Sequence, residues 1–140
     1  MDASTLLRNA GWFPGRTVDV SRDLAALSAA GYEITPAAAK FLAEYSGLTI
    51  VGDTKSNPLI IDGAFVAGDV DPEWGSAYAE AIGTTLVAVG EYSHMTLYID
   101  AEAGLWGAFD SEYGRGGSSL EEVVQGIFLE PRWRFDRHLD

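Results

Sequence analysis

Cysteine is absent from this sequence, and with it go disulfides, thiolate metal sites and any reaction that needs a sulfur nucleophile. The absence suits a reducing compartment, so a cytoplasmic location is the expectation. No run approaches the roughly eighteen apolar residues a membrane span requires, and the first residues carry Asp2 rather than the apolar core of a secretory signal. Neither standard export nor membrane anchoring is expected. Basic residues are also scarce: nine Lys and Arg stand against 21 Asp and Glu, for a formal net charge of -12. Phosphate contacts depend on Lys and Arg, so nucleic-acid binding is disfavoured and a basic protein partner is easier to accommodate.

Catalytic constellations are missing in the same way. The two histidines, His94 and His138, stand far apart, with no HExxH pair and no cysteine to complete a zinc site, so no metal is expected. No GxSxG lies between a strand and a helix, which removes the nucleophile elbow of an acyl-transfer enzyme. "GRGGSS", residues 114–119, is rich in glycine but lacks the lysine of a phosphate-binding loop. Glu121 and Glu122 in the following turn would repel an added phosphate, so it reads as a flexible link into a helix. Carboxylates such as Asp53, Asp69, Asp71, Glu91, Asp100, Asp110 and Glu112 are plentiful, but in so acidic a chain close pairs arise by chance. No catalytic residue and no cofactor is assigned.

What is present is the grammar of a folded domain. With 140 residues, 47% hydrophobic and 21% charged, the chain fits a single globular domain spanning residues 1–140. "STLLRNAG" offers Ser4 as a helix cap and Gly11 as terminator; "SRDLAALSAAG" repeats the pattern with Ser21 and Gly31. In "TPAAAKFLAEYSG" Thr35 caps, Pro36 takes the first helical position and Gly47 closes; in "DPEWGSAYAEAIG" Asp71, Pro72 and Gly83 do the same, with Trp74 and Tyr78 on one face. "LTIVG" and "NPLIID" read as a hairpin around the turn "DTKSN".

"TTLVAVGEY", "HMTLYID" and "LWGAFD" read as an antiparallel meander, with Met95, Leu97 and Ile99 on one side of the middle strand and Thr96, Tyr98 and Asp100 on the other. "SSLEEVVQGIFL" closes as a helix with Ser118 and Glu121 in capping-box spacing. Helices before and after an antiparallel sheet of about five to six strands make an α+β layer fold. Trp12 and Phe13, just past Gly11, are expected to fill core rather than grip a ligand. In the tail "EPRWRFDRHLD", Arg132, Arg134 and Arg137 surround Trp133 and Phe135, and the tail is expected to fold back onto the acidic body.

The order of these landmarks carries a resemblance. "GWFPGR", then "AAAKFLAEYSGLTI", then Trp74 and Tyr78 ahead of "IGTTLVAVGEY", then "LYIDAEAG" together resemble the SUKH-3 branch of the SUKH superfamily, which includes Syd-related and Smi1/Knr4-like proteins. Gly11, Trp12 and Arg16 look like its N-terminal signature, Phe41, Leu42, Gly47 and Leu48 like its helix-to-strand junction. Gly83, Val89, Gly90 and Glu91 are similar to its lead into the meander, and Ile99, Asp100 and Gly104 to its hairpin. Relatives often carry Pro at the place of Ala88, and Leu105 and Trp106 stand where a polar residue is usual.

The resemblance implies an α+β domain that acts as the immunity partner of a bacterial polymorphic toxin, frequently a nuclease or another nucleic-acid-modifying enzyme, by binding and without catalysis. A regulatory protein-binding scaffold of the Smi1/Knr4 kind is the alternative. The expected partner is a cognate toxin domain with a basic surface, met by a monomer. The candidate partner-binding residues are Glu91, Tyr92, His94, Asp110, Glu112 and Tyr113, all expected near strand ends.

Overall fold

The computed structural model describes residues 2–52, 57–130 and 133–140. Asp53, most of the "DTKSN" turn and Arg132 lie outside the described residues. Three helices come first: α1 (Ala3–Asn9), α2 (Ser21–Ala29) and α3 (Pro36–Tyr45). The strands β1 (Leu48–Ile50) and β2 (Leu59–Ile61) then lead to α4 (Gly63–Asp69) and α5 (Pro72–Ile82). Next comes the meander β3 (Leu86–Tyr92), β4 (Met95–Asp100), β5 (Leu105–Phe109) and β6 (Glu112–Gly117). The helix α6 (Leu120–Val124) runs into a π-helical turn, Gln125–Leu129, and a short β7 (Arg137–His138) ends the chain. All seven strands form one antiparallel sheet in sequence order, β1 to β7.

Most helix ends follow their sequence signals, and the exceptions have local causes. Thr35 accepts from the Ala38 N–H and Asp71 from the Glu73 N–H, with Pro36 and Pro72 in the first turn. The cap of α1, however, is Asp2, which accepts from Thr5, and Ser4 sits inside the helix. Ser21 is the first helical residue of α2, not its cap; its N–H and hydroxyl both donate to Asp19 Oδ1. Ser119 rather than Ser118 caps α6, accepting from Glu122, whose Oε2 takes the Ser118 N–H at 2.8 Å. In each case a carboxylate one or two residues away, or the next serine, offers the free N–H groups a better-placed acceptor.

Three elements were not read in the sequence: α4, β6 and β7. GAFVAGD has glycines at both ends of its apolar cluster and no stripe of helical period, yet it forms α4 because Asp62 accepts from the Phe65 N–H. "GRGGSS" is no flexible link: Glu112–Gly117 pairs as β6 between β5 and β7, and these two strands together raise the sheet to seven. Glycine serves a purpose there, since a Cβ on Gly107 or Gly116 would collide with the indole of Trp133, which lies across both.

The helices cover both faces of the sheet. On the face of Ala88, Thr96, Tyr98 and Ala108, α5 lays Tyr78 against Tyr98 and Tyr113, ring centroids 5.7 and 5.6 Å away. α4 packs on β3 beside it, with α2 behind α4. On the face of Tyr92, Leu97 and Gly107, Phe128 meets Tyr92 edge-on and Trp133 covers the glycines. α6 packs there on β6, with α1 against α6. All six residues of β4 are therefore buried, and each large apolar side chain among them contributes roughly 1.5–3 kcal/mol.

The opening motif is structural. Arg16 donates to the carbonyls of Glu44 at 2.5 Å and Ser46 at 2.8 Å, satisfying the free end of α3, and the Trp12 indole donates to Glu44 Oε2 at 2.9 Å. Phe13 corrects the expectation of a core residue: it is 55% exposed, directly ahead of the turn at Pro14 and Gly15. The tail does fold back, with Arg137 over the Trp106 ring at 5.2 Å and paired beside Tyr113.

Candidate functional site

Two hairpin turns and one helix junction meet at one end of the sheet. The β3–β4 turn is two residues long, Ser93 and His94, closed by Tyr92 opposite Met95. The β5–β6 turn, Asp110 and Ser111, is closed by Phe109 opposite Glu112. Both bend through a left-handed residue that is not glycine, Ser93 at φ 55° and Asp110 at φ 52°. Asp tolerates that region better than most, because its short polar side chain bonds locally. The Tyr78 hydroxyl donates to the Asp110 carbonyl and ties α5 to the second turn.

A β-bulge aims the acidic side chain of this end. Ala88 pairs with Tyr98, Gly90 with Leu97 and Glu91 with Thr96, so the register shifts at Val89. Without the extra residue, strand alternation would turn Glu91 to the opposite face of the sheet; with it, Glu91 shares the face of Tyr98 and Thr96. Gly90 permits the crossing, since a Cβ there would lie 2.6 Å from the Ile60 carbonyl oxygen.

The result is a cleft of about 280 Å³ between the α4–α5 junction and the sheet, lined by Asp69, Asp71, Trp74, Glu91, Tyr98 and Asp110 among others. Its electrostatics are unusual. Burial, together with the carboxyl of Asp69, pushes Glu91 up to about 7, and Glu91 Oε2 is buried with no donor facing it. Two carboxyls this close cannot both ionise cheaply, so a proton stays on the pair near neutrality. Burial raises the Tyr98 hydroxyl as well, with Tyr32 and Tyr78 adding to it, and holds Tyr78 at about 12. These phenols stay neutral at any working pH.

On the other side of the β3–β4 turn, an apolar groove of about 400 Å³ is lined by Tyr92, Met95, Phe109, Ile127, Trp133 and Phe135, with Ser93, His94 and Gly126. His94 lines both depressions and rests on Phe109, ring centroids 5.8 Å apart. An acidic cleft and an aromatic groove thus share one ridge.

A family model described as SUKH-3 immunity protein matches residues 1–128. The chain belongs to the SUKH-3 immunity protein family. No curated protein and no solved structure matches it. The family match takes in the acidic cleft whole and ends before Trp133 and Phe135, which wall one side of the apolar groove.

Within this SUKH-3 chain the six sequence candidates divide. Glu91, His94 and Asp110 converge on the acidic cleft, and Tyr92 and His94 on the apolar groove. Glu112 is exposed at the start of β6 opposite His138, beside the cleft but not in its wall. Tyr113 is 5% exposed and lies under Tyr78 and Trp106, so it supports the site from below.

Sequence reasoning missed Asp69, Trp74, Phe109 and the groove residues of the tail as members of the site. Trp74 had looked like part of a core stripe; it is 41% exposed, stacked on Tyr78 at 5.9 Å with the rings within 18° of parallel. The available signal was "DVDPEW", three carboxylates (Asp69, the helix cap Asp71 and Glu73) followed at once by an indole. Among the described residues no helix is long and apolar enough to cross a membrane.

Proposed function

We propose that this protein neutralises a cognate toxin by stoichiometric binding at the end of the sheet that carries the β3–β4 and β5–β6 turns. The toxin is a nuclease or another nucleic-acid-modifying enzyme whose basic active-site cleft accepts the anionic surface in place of phosphates. The protein acts as a single-domain monomer in the cytoplasm, performs no catalysis and binds neither nucleic acid nor membrane. The observation that carries this reading is the juxtaposition of an acidic cleft and an aromatic groove along one ridge in a member of an immunity family. Tyr92, Phe109 and Trp133 supply the anchors that hold the partner, and Glu91, Asp110 and the exposed Glu112 set association rate and specificity, with His94 between the two sets. Tyr113 keeps the ridge in place.

Co-expression with the toxin domain encoded beside this gene tests the proposal. The wild type rescues growth and co-purifies with the toxin. The combined variant Glu91→Gln, Tyr92→Ala, His94→Ala, Asp110→Asn, which leaves the buried Tyr113 alone, stays folded and loses both. Rescue and co-purification by that variant would move the binding surface elsewhere. A neighbourhood without any secreted toxin gene supports instead the regulatory scaffold.

One feature would also serve an enzyme, since a carboxyl poised near 7 in a cleft suits acid–base work. That reading requires a turnover that disappears in Glu91→Gln. Protection of cells by the Glu91→Gln variant would exclude it as the basis of immunity.

A further inference from the structure

The acidic cleft holds two buried oxygens, of Tyr98 and Glu91, that have no hydrogen-bond partner among the described residues. Tyr98 is 1% exposed and its side chain lines the cleft, yet its hydroxyl makes no hydrogen bond; the Thr96 and Tyr32 hydroxyls lie near it without bonding geometry. Glu91 Oε2 is the second such atom: it is buried, its carboxyl faces that of Asp69, and no N–H or hydroxyl among the described residues donates to it. Around them stand Asp69 from α4, Asp71 from the α4–α5 junction and Asp110 from the β5–β6 turn, and the basic side chain in the wall is His94. One wall is the Trp74 indole, stacked on Tyr78 with a large part of its surface open.

We infer that this cleft is a socket for one guanidinium group, the side chain of an arginine presented by the toxin. The inference rests on the binding function proposed above and specifies its chemistry. A guanidinium brings five N–H donors in a planar fork, which matches two carboxyls and a phenol oxygen at different depths, and its plane stacks on an indole. An ammonium is a compact point charge with three donors and no plane to stack. A metal ion fits less well, because among the described residues no three His, Asp or Glu side chains converge to hold one. The volume of about 280 Å³ suits the end of a side chain rather than a whole small-molecule ligand.

Entry of a permanent cation expels the proton that Glu91 holds beside the Asp69 carboxyl, so binding strengthens as pH rises from 6 to 8. Asp71 and Asp110 face the same space. His94, from the β3–β4 turn, is the basic side chain that faces the same space. The pH dependence persists in His94→Ala and vanishes in Glu91→Gln.

The test is a titration of isotope-labelled protein with capped arginine (N-acetyl-arginine methylamide), followed by NMR. Capped citrulline, of the same shape but neutral, and capped lysine serve as controls. Capped arginine shifts the Trp74 indole and the Glu91 and Thr96 amides in a saturable way, with a dissociation constant on the order of a few millimolar. Citrulline does not, lysine is weaker, and Glu91→Gln weakens arginine binding about tenfold. No saturable shift at these positions up to about 50 mM, an equal response to citrulline or lysine, or an unchanged affinity in Glu91→Gln would each overturn the inference. Co-purification of the toxin with Asp69→Asn/Glu91→Gln at wild-type yield would also defeat the arginine socket while leaving toxin binding intact. Failure of the wild type to bind the toxin would defeat the binding function itself.

Discussion

The two ends of the central sheet treat a carboxylate in opposite ways. At the β4–β5 hairpin, Asp100 is 9% exposed and accepts from the Glu102 N–H, the Gly104 N–H and the Trp106 indole, all at 2.8–2.9 Å. At the β3–β4 end, Glu91 sits on the same face of the sheet, faces another carboxyl and has an oxygen that meets no donor. Asp23 belongs with Asp100, since it is buried and bonded to the Ser46 hydroxyl and the Ala64 N–H. A buried acid supplied with donors holds a fold together. One left without them costs stability.

The largest effect that sharpens this contrast is expected at the satisfied end. Asp100→Ala leaves two N–H groups and an indole without an acceptor and destabilises the protein by about 3 kcal/mol, read from urea denaturation. Arg16→Ala, which frees the Glu44 and Ser46 carbonyls, costs about 2 kcal/mol by the same measurement, with no effect on toxin affinity.

Glu91→Gln goes the other way. Its folded value lies above the ordinary 4.5, at about 7, so the folded state binds more protons than the unfolded state between those values and stability falls as pH rises through that window. After allowance for its partial solvent access, the variant gains about 1 kcal/mol over the wild type at pH 8 and nothing at pH 4. Denaturation midpoints across that range check it, and a wild-type stability that rises between pH 5 and 8 relative to the variant would break the contrast. Smallest in stability is Phe109→Ala at the exposed ridge, within about 0.5 kcal/mol of wild type, although toxin affinity falls roughly tenfold.

The fold was legible wherever a local signal sufficed. Thr35–Pro36, Asp71–Pro72 and the glycines at 31, 47 and 83 mark helix ends because cap chemistry and left-handed backbone are decided within four residues. The apolar alternation of residues 86–109 marks three strands for the same reason. β6 was not legible: EYGRGG has no alternation, and its place is set by Trp133, a distant residue that requires the glycines.

The site was half legible. Glu91, Tyr92, His94 and Asp110 follow from strand ends, but the partner carboxyl of Asp69 is brought there by α4, a helix the pattern does not announce. Nor could periodicity alone place Glu91 in the cleft, since one bulge at Val89 decides which face it takes.

Hydrogen exchange of the protein alone and in complex with its toxin domain weighs the central claim most directly. Slowed exchange at residues 91–95, 109–112 and 69–74, with the Ala101–Gly104 turn at the far end unchanged, is the predicted result. Protection concentrated on Ala101–Gly104, with the Ser93 and Asp110 turns exchanging as in the free protein, would contradict it.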